Sequence, residues 1–415
     1  MRCTRGTGFQ QFRGTLLLAV LAVGPLAAQE SAPTSRAEEW QAARREKAKH
    51  LEPDELSTAE ERLNRFRDSG GVGRFTLGTT GLRLRLGGLP TGQGFAAGPE
   101  YLRRDLAHGQ VEFRTSARAA LSKAVLLDLQ VSLPRLAGDR VFVDFLGAHQ
   151  NSPRIDYYGP GPDSEKGDRT NFRLETNSAD FSAGVKPIPQ FRLGVTGGFF
   201  QANPGPGNRT GVASTEQLFS PQAALGFTDQ SDYLRAGVLA HFDYRDNPAG
   251  PRSGGSYMAR YLTYEDGALG RQDFRRLELD AQQYIPFFNK RRLVALRVGS
   301  QMSFTGDGRA VPFYLQPTLG GSDDLRGFRT YRFYGDNQIV ANVEYRWESF
   351  SGLDAALFFD AGKVTEKRSQ INFHNLETAA GFGLRFNVRG NVFMRLDVGF
   401  SHEGTQVWLK FGNPF

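Results

Sequence analysis

The residues best placed to do chemistry lie in Gly320–Phe333, GGSDDLRGFRTYRF, centred on Leu325, Arg326, Gly327 and Phe328. The chemistry on offer is charge recognition, because an arginine fork selects carboxylate or phosphate geometry. The stretch lies between two strand-like runs, Leu293–Phe304 and Ile339–Trp347, where a solvated loop would be ordinary. The whole loop between those runs also carries Phe313, Tyr314, Leu315, Phe328, Tyr331, Phe333 and Tyr334, too much aromatic surface to leave in water. The loop is therefore expected to fold inward, into something hollow.

Other chemistry is hard to place. The histidines His50, His108, His149, His241, His374 and His402 lack metal-ligand spacing, and no G-x-S-x-G elbow occurs. Gly205-x-Gly207 is followed by Gly211, one residue too far for a dinucleotide fingerprint. The pair Asp323-Asp324 is thin evidence for surface calcium. The only cysteine, Cys3, lies in a targeting segment, so a disulfide framework, a cysteine metal site and a cysteine nucleophile are all excluded. No catalytic residue, metal or cofactor is assigned, and the chain reads as a non-enzyme.

Residues 1–28 read as a signal peptide: arginines, an apolar core over Leu16–Val23, and a small-residue cut after Ala28. Removing Arg2, Arg5 and Arg13 takes the net charge from +7 to 7 − 3 = +4, too small a surplus to argue for nucleic acid. Residues 29–73 are charge-dense and predict two short helices, opened by Ser35-x-x-Glu38 and Ser57-x-x-Glu60 and separated by Pro53. They are expected to form a periplasmic helical or disordered segment.

From about Arg74 to residue 415 the pattern has period two. Val125, Leu127, Leu129, Val131 and Leu133 oppose Asp128, Gln130 and Ser132; Ile339, Ala341, Val343, Tyr345 and Trp347 oppose Asn342, Glu344 and Arg346. The negative mean hydropathy, -0.43, does not argue against a membrane, because a barrel places every second residue toward a wet bore. The runs are about ten residues long, enough to cross a bilayer when tilted. Short turns near 136–138, 186–189, 349–352 and 388–390 alternate with long loops near 151–168, 201–230, 305–335 and 363–375. The expected fold is an all-β, transmembrane antiparallel barrel of about 16 strands, its long loops outside and its last strand running from Thr405 to Phe415. Glu344 and Asp360 are out of phase with the apolar residues of their strands, so both are expected to face inward.

Five motifs in order resemble the bacterial surface antigen barrel of the BamA/TamA superfamily of outer-membrane assembly and translocation proteins. They are DYYGPGPDS (Asp156–Ser164), DYRDNPAGPRSGGSY (Asp243–Tyr257), LRGF (Leu325–Phe328), LFFDAGKV (Leu357–Val364) and LKFGNPF (Leu409–Phe415). The resemblance implies that Arg326 reaches into the lumen and pairs with Glu344 and Asp360. It also implies that Leu409, Phe411 and Phe415 form the C-terminal signal read by the barrel assembly machinery during biogenesis. BamA and TamA carry periplasmic POTRA modules, for which residues 29–73 leave no room, and this departure counts against an assembly-factor role. The implied function is assistance in protein or lipid insertion or translocation at the cell outer membrane, through a weak seam between first and last strands. Outer-membrane lipid and a client protein or lipid are the implied partners. The alternatives are a passive or loop-gated pore and a structural or adhesive surface antigen.

Overall fold

A computed structural model describes residues 81–415, apart from 229–230, 268–269 and 271, together with residues 39, 40, 42, 43 and 46, which are helical. The signal peptide, both capping boxes, most of the 29–73 segment and the expected start of the barrel at Arg74 lie outside the described residues.

Sixteen strands form one antiparallel sheet, each paired with its sequence neighbours. They are β1 (Gly81–Leu86), β2 (Ala96–Leu106), β3 (Val111–Ala120), β4 (Val125–Arg135), β5 (Val141–Tyr157), β6 (Thr170–Ile188), β7 (Phe191–Pro206) and β8 (Ser231–Asp243). The wall continues through β9 (Gly254–Asp266), β10 (Phe274–Phe287) and β11 (Arg292–Thr305). Two two-residue strands, β12 (Thr318–Leu319) and β13 (Phe333–Tyr334), pair with each other inside the long loop. The wall resumes with β14 (Asn337–Phe350), β15 (Leu353–Thr365), β16 (Glu377–Val388), β17 (Asn391–Ser401) and β18 (Gly404–Phe411). The sheet curls into a nearly closed barrel.

Alternation decides the two faces. Leu127, Leu129, Val195, Leu234, Val238, Val298, Val343, Leu357, Phe382, Val407 and Leu409 are exposed outward, the surface a bilayer covers. Aromatic rings gather outside at the short-turn end: Phe242 stacks on Tyr257 at 6.5 Å, and Tyr345 stacks between Phe287 and Trp347 at 6.0 and 5.5 Å. Such a belt sits at a membrane border. Inward-facing charges pair across the ladder, as in Arg297–Asp280 at 2.7 Å and Arg260–Glu278 at 2.5 Å.

Three expectations need correction. The strands are longer than about ten residues: β5, β6 and β7 have 17, 19 and 16 residues, and β5 and β7 run into the stretches expected as loops. They rise beyond the apolar belt with polar outer residues such as Asn151, Glu175 and Asn203, and that loss of apolar alternation hid them. Accordingly, the turn expected at 186–189 falls at Pro189–Gln190. The last strand stops at Phe411, because Gly412 takes φ +90° and turns the chain off the ladder.

At the short-turn end, the β8–β9 connection crosses the mouth. Asn247 Nδ2 donates to the Gly390 carbonyl at 2.8 Å, and Arg252 Nη2 donates to both oxygens of Asp354 at 2.8 and 2.9 Å. Asp246 holds this strap in shape: Oδ1 accepts from the amides of Arg252 and Ser253 at 3.0 and 3.1 Å, and Oδ2 accepts from Lys290 Nζ at 3.0 Å. Partial burial pushes the Asp246 carboxyl up, but those hydrogen bonds outweigh it and hold the pKa at about 2. The folded value lies below the ordinary aspartate value of about 3.9, so the ionised group stabilises the fold above that pH. The contribution is lost as pH falls through about 2. The melting-temperature gap between wild type and Asp246→Asn should therefore stay constant from about pH 7 to 5 and close between about pH 4 and 2, measured by heat-modifiable gel migration.

Candidate functional site

The long loop between β11 and β14 folds into the bore. Leu319, Leu325, Phe328 and Phe333 pack in one buried cluster with Val340, Val364 and Ala379 of the inner wall. At the long-loop end, Tyr157 meets Phe219, Phe313 and Tyr334 edge-on at 5.0, 5.1 and 4.8 Å. Tyr334 also donates to the Asp156 carbonyl at 2.8 Å. The DYYGPGPDS segment thus closes as a dome over the inserted loop. Arg332 ties the dome to the last hairpin, donating to Glu403 Oε1 at 2.7 Å and to Ser164 Oγ at 2.8 Å.

Beneath the dome, Arg326 is 1% exposed. Its Nε and Nη2 grip Asp360 at 2.8 and 2.7 Å, a bidentate fork, while Nη1 reaches Glu344 Oε2 at 2.5 Å. The Arg326 backbone amide also donates to Asp360 Oδ2, at 3.1 Å. The guanidinium lies 3.5 Å from the centre of the Phe358 ring, a close cation–π contact. The Arg326 carbonyl accepts from Trp408 Nε1 at 2.8 Å. One loop residue thereby touches β14, β15 and the final strand β18.

The cluster is wider than the triad named from the sequence. Arg346 Nε donates to Glu344 Oε1 at 2.6 Å, and Arg385 Nη2 donates to Glu344 Oε2 at 2.8 Å. Arg385 also pairs with Asp397 at 2.6 Å, and Arg395 pairs with Asp397 at 3.1 Å and with Asp323. Four guanidinium groups (Arg326, Arg346, Arg385, Arg395) meet four carboxylates (Asp323, Glu344, Asp360, Asp397), so the cluster is neutral. Charge matching is what permits burial of the seven inner groups, since an uncompensated buried charge costs several kcal/mol, while Asp323 at the rim is 58% exposed. Asp323 is therefore engaged by Arg395, and Asp324 Oδ1 caps the amides of Gly320 and Leu325 at 3.2 and 2.8 Å.

Sequence reasoning missed Arg385, Arg395, Asp397 and Trp408. Their inward phase was readable in the alternation of β16, β17 and β18, but register across four strands was not. It also missed why the wall carries glycine. A Cβ at Gly399 would lie 2.3 Å from the Arg326 carbonyl oxygen, and one at Gly327 would lie 2.7 Å from the Phe400 carbonyl oxygen. The loop tip rests on bare backbone, and no side chain fits between.

The C-terminal residues divide. Leu409 is exposed outward, and Phe411 packs edge-on against Phe95 and Phe393 at 5.6 and 5.5 Å. Phe415 does not share their strand face. It turns into the short-turn mouth, where its carbonyl accepts from Tyr284 at 2.6 Å and Arg346 lies 5.8 Å from its ring.

Arg326→Ala should destabilise the barrel by roughly 3–5 kcal/mol, because Glu344 and Asp360 lose a buried counter-charge. Arg326→Lys should recover only part of this, since an ammonium cannot make the two-pronged contact. Gly399→Ala should release the loop without altering any charge. Chemical unfolding reads the stability, and protease cleavage within 305–335 reads the release.

The sequence matches the model of the Omp85 superfamily domain over residues 138–408. No curated protein matches the chain. Among solved structures, the fold is similar to BamA from Haemophilus ducreyi lacking POTRA domains 1-3, with TM-score 0.59 and 14% identity over 81% of this chain and 70% of that one. It is also similar to CdiB from Escherichia coli, with TM-score 0.50 and 15% identity over 79% of this chain and 61% of that one. At such identities these likenesses speak to the barrel alone. The family match covers well over half of the sequence, running from β5 into β18 and including the inserted arginine loop: the chain belongs to the Omp85 superfamily.

Proposed function

We propose that this outer-membrane barrel assists the insertion or translocation of protein or lipid by opening between β1 and β18, with the Arg326 loop holding the closed form. One observation carries the reading. Fifteen neighbouring pairs in the wall run as backbone ladders, while no backbone hydrogen bond joins β1 to β18 among the described residues. Side chains bridge the gap instead: Phe95 meets Phe411, and Lys410 Nζ donates to Thr91 Oγ1 at 2.8 Å. An unpaired strand edge is a template for an incoming strand. The loop reaches that edge through the Trp408–Arg326 hydrogen bond, so docking of the loop and the position of β18 are linked.

Export through a signal peptide cleaved after Ala28 and recognition of the C-terminal Leu409, Phe411 and Phe415 by the assembly machinery belong to the same proposal. The second reading, a loop-gated pore, draws support from the inward ion pairs of β9, β10 and β11, such as Arg260–Glu278 and Arg297–Asp280.

The seam can be locked. A Cβ at Gly87 would lie 3.5 Å from Phe411 Cβ, within disulfide range, and the chain beyond Cys3 has no competing thiol. In liposomes the wild type should accelerate insertion of a urea-unfolded barrel polypeptide, read by heat-modifiable migration. Oxidised Gly87→Cys/Phe411→Cys should be inactive and should recover on reduction. Full activity of the locked form would overturn seam opening. Conductance that rises on deleting 306–334, without accelerated insertion, would establish the pore instead.

A further inference from the structure

The DYYGPGPDS segment, which forms the dome, also gathers arginines around its first residue. Arg154 and Asp156 lie at the end of β5, Arg169 immediately precedes β6, and Arg209 lies between β7 and β8. Arg169 Nη2 donates to Asp156 Oδ2 at 2.8 Å. Arg209 Nε lies 3.2 Å from Asp156 Oδ1 but is not aligned for a hydrogen bond. Arg154 adjoins Arg209: its carbonyl accepts from Arg209 Nη2 at 3.5 Å, and its own Nε donates to the neutral Asn208 Oδ1 at 2.9 Å. From the inserted loop, Arg329 lies beside the Tyr158 hydroxyl.

Three guanidinium groups therefore share one carboxylate, 3 − 1 = +2, and among the described residues no ion pair joins any of the three to another acid. The cluster around Arg326 instead matches four cations with four acids. Donors are left over as well as charge. Arg169 Nε and Arg209 Nε are buried without an acceptor in the chain, a rare condition for a polar N–H. Burial, with Arg169 and Arg154 adding like charge, lowers the Arg209 pKa although Asp156 opposes it. The site is still reachable, because the Arg169 and Arg209 side chains are each 25% exposed.

We infer that Arg154, Arg169 and Arg209 bind a phosphate group presented at the long-loop end of the barrel, with Arg329 nearby as a further cation. Arginine forks match phosphate geometry, and a dianion cancels the +2 surplus. Asp156 sets the arginines in place and competes with the ligand for them. A lipid headgroup and a free phosphate ion offer the same oxygens to these donors. The site needs neither seam opening nor insertion activity.

The test uses the whole protein, in detergent for inorganic phosphate and in phosphatidylcholine nanodiscs for lipid A, a phosphorylated glycolipid. Calorimetry reads the ion and native mass spectrometry counts the lipid, at about 0.15 M salt, where exposed charges are screened beyond about 8 Å. At least one probe should bind one-to-one, and dephosphorylated lipid A should not bind. Arg154→Gln/Arg209→Gln should lower affinity about tenfold or more, two charge-assisted contacts being lost. Asp156→Asn should raise affinity, because the competing acid is gone. Arg103→Gln, whose partner Asp105 lies at the short-turn end, should change nothing. Heat-modifiable migration verifies that each variant is folded. Tighter binding of lipid A than of phosphate assigns a headgroup, and equal binding assigns the free ion. Unchanged binding by the double variant, weaker binding by Asp156→Asn, equal binding of dephosphorylated lipid A, or binding of neither probe would overturn the site. Since no polypeptide is inserted in this measurement, its failure is separable from failure of the locked-seam experiment.

Discussion

The structure depends on satisfying one buried cation. Arg326 sits at the tip of a loop inside a barrel, away from bulk water, and such a charge is tolerated only if carboxylates meet it with good geometry. Asp360 supplies the matching fork and Glu344 the third contact. Glu344 then needs more than one cation and takes Arg346 and Arg385; Asp397 takes Arg385 and Arg395. Each partner recruits the next, until β14, β15, β16 and β17 share a single neutral network with the loop. Removing any member strands another, so the loop has one seat on this wall.

That network accounts for the asymmetry of the barrel. The strands following the loop are held from inside by ion pairs, by bare glycine backbone and by Trp408. The strands before it line the bore with pairs such as Arg260–Glu278 and Arg297–Asp280, of which only Arg297 also donates to the loop, at the Asp323 carbonyl. At the junction of the two regimes lies the unpaired edge. Keeping β18 near β1 falls to side-chain contacts and to the loop, both of which can be released without breaking a ladder. The inward-turned Phe415 adds a further tie, because Arg346 lies near its ring and also donates to Glu344.

Much of this was legible in the sequence, for physical reasons. Period-two alternation is imposed by lipid outside and water inside, so strand number and the inward phase of Glu344 and Asp360 could be read directly. The pairing of Arg326 with those two acids came from family resemblance, since phase alone names no partner. Arg385, Arg395 and Asp397 had the right phase but no motif, and only the register of Arg385 against Asp354 and of Arg395 against Lys410 places them. The upper parts of β5 and β7 were read as loops because polar residues on both faces erase the alternation. Phe415 was read as a strand residue because a glycine at positive φ leaves no trace in hydropathy.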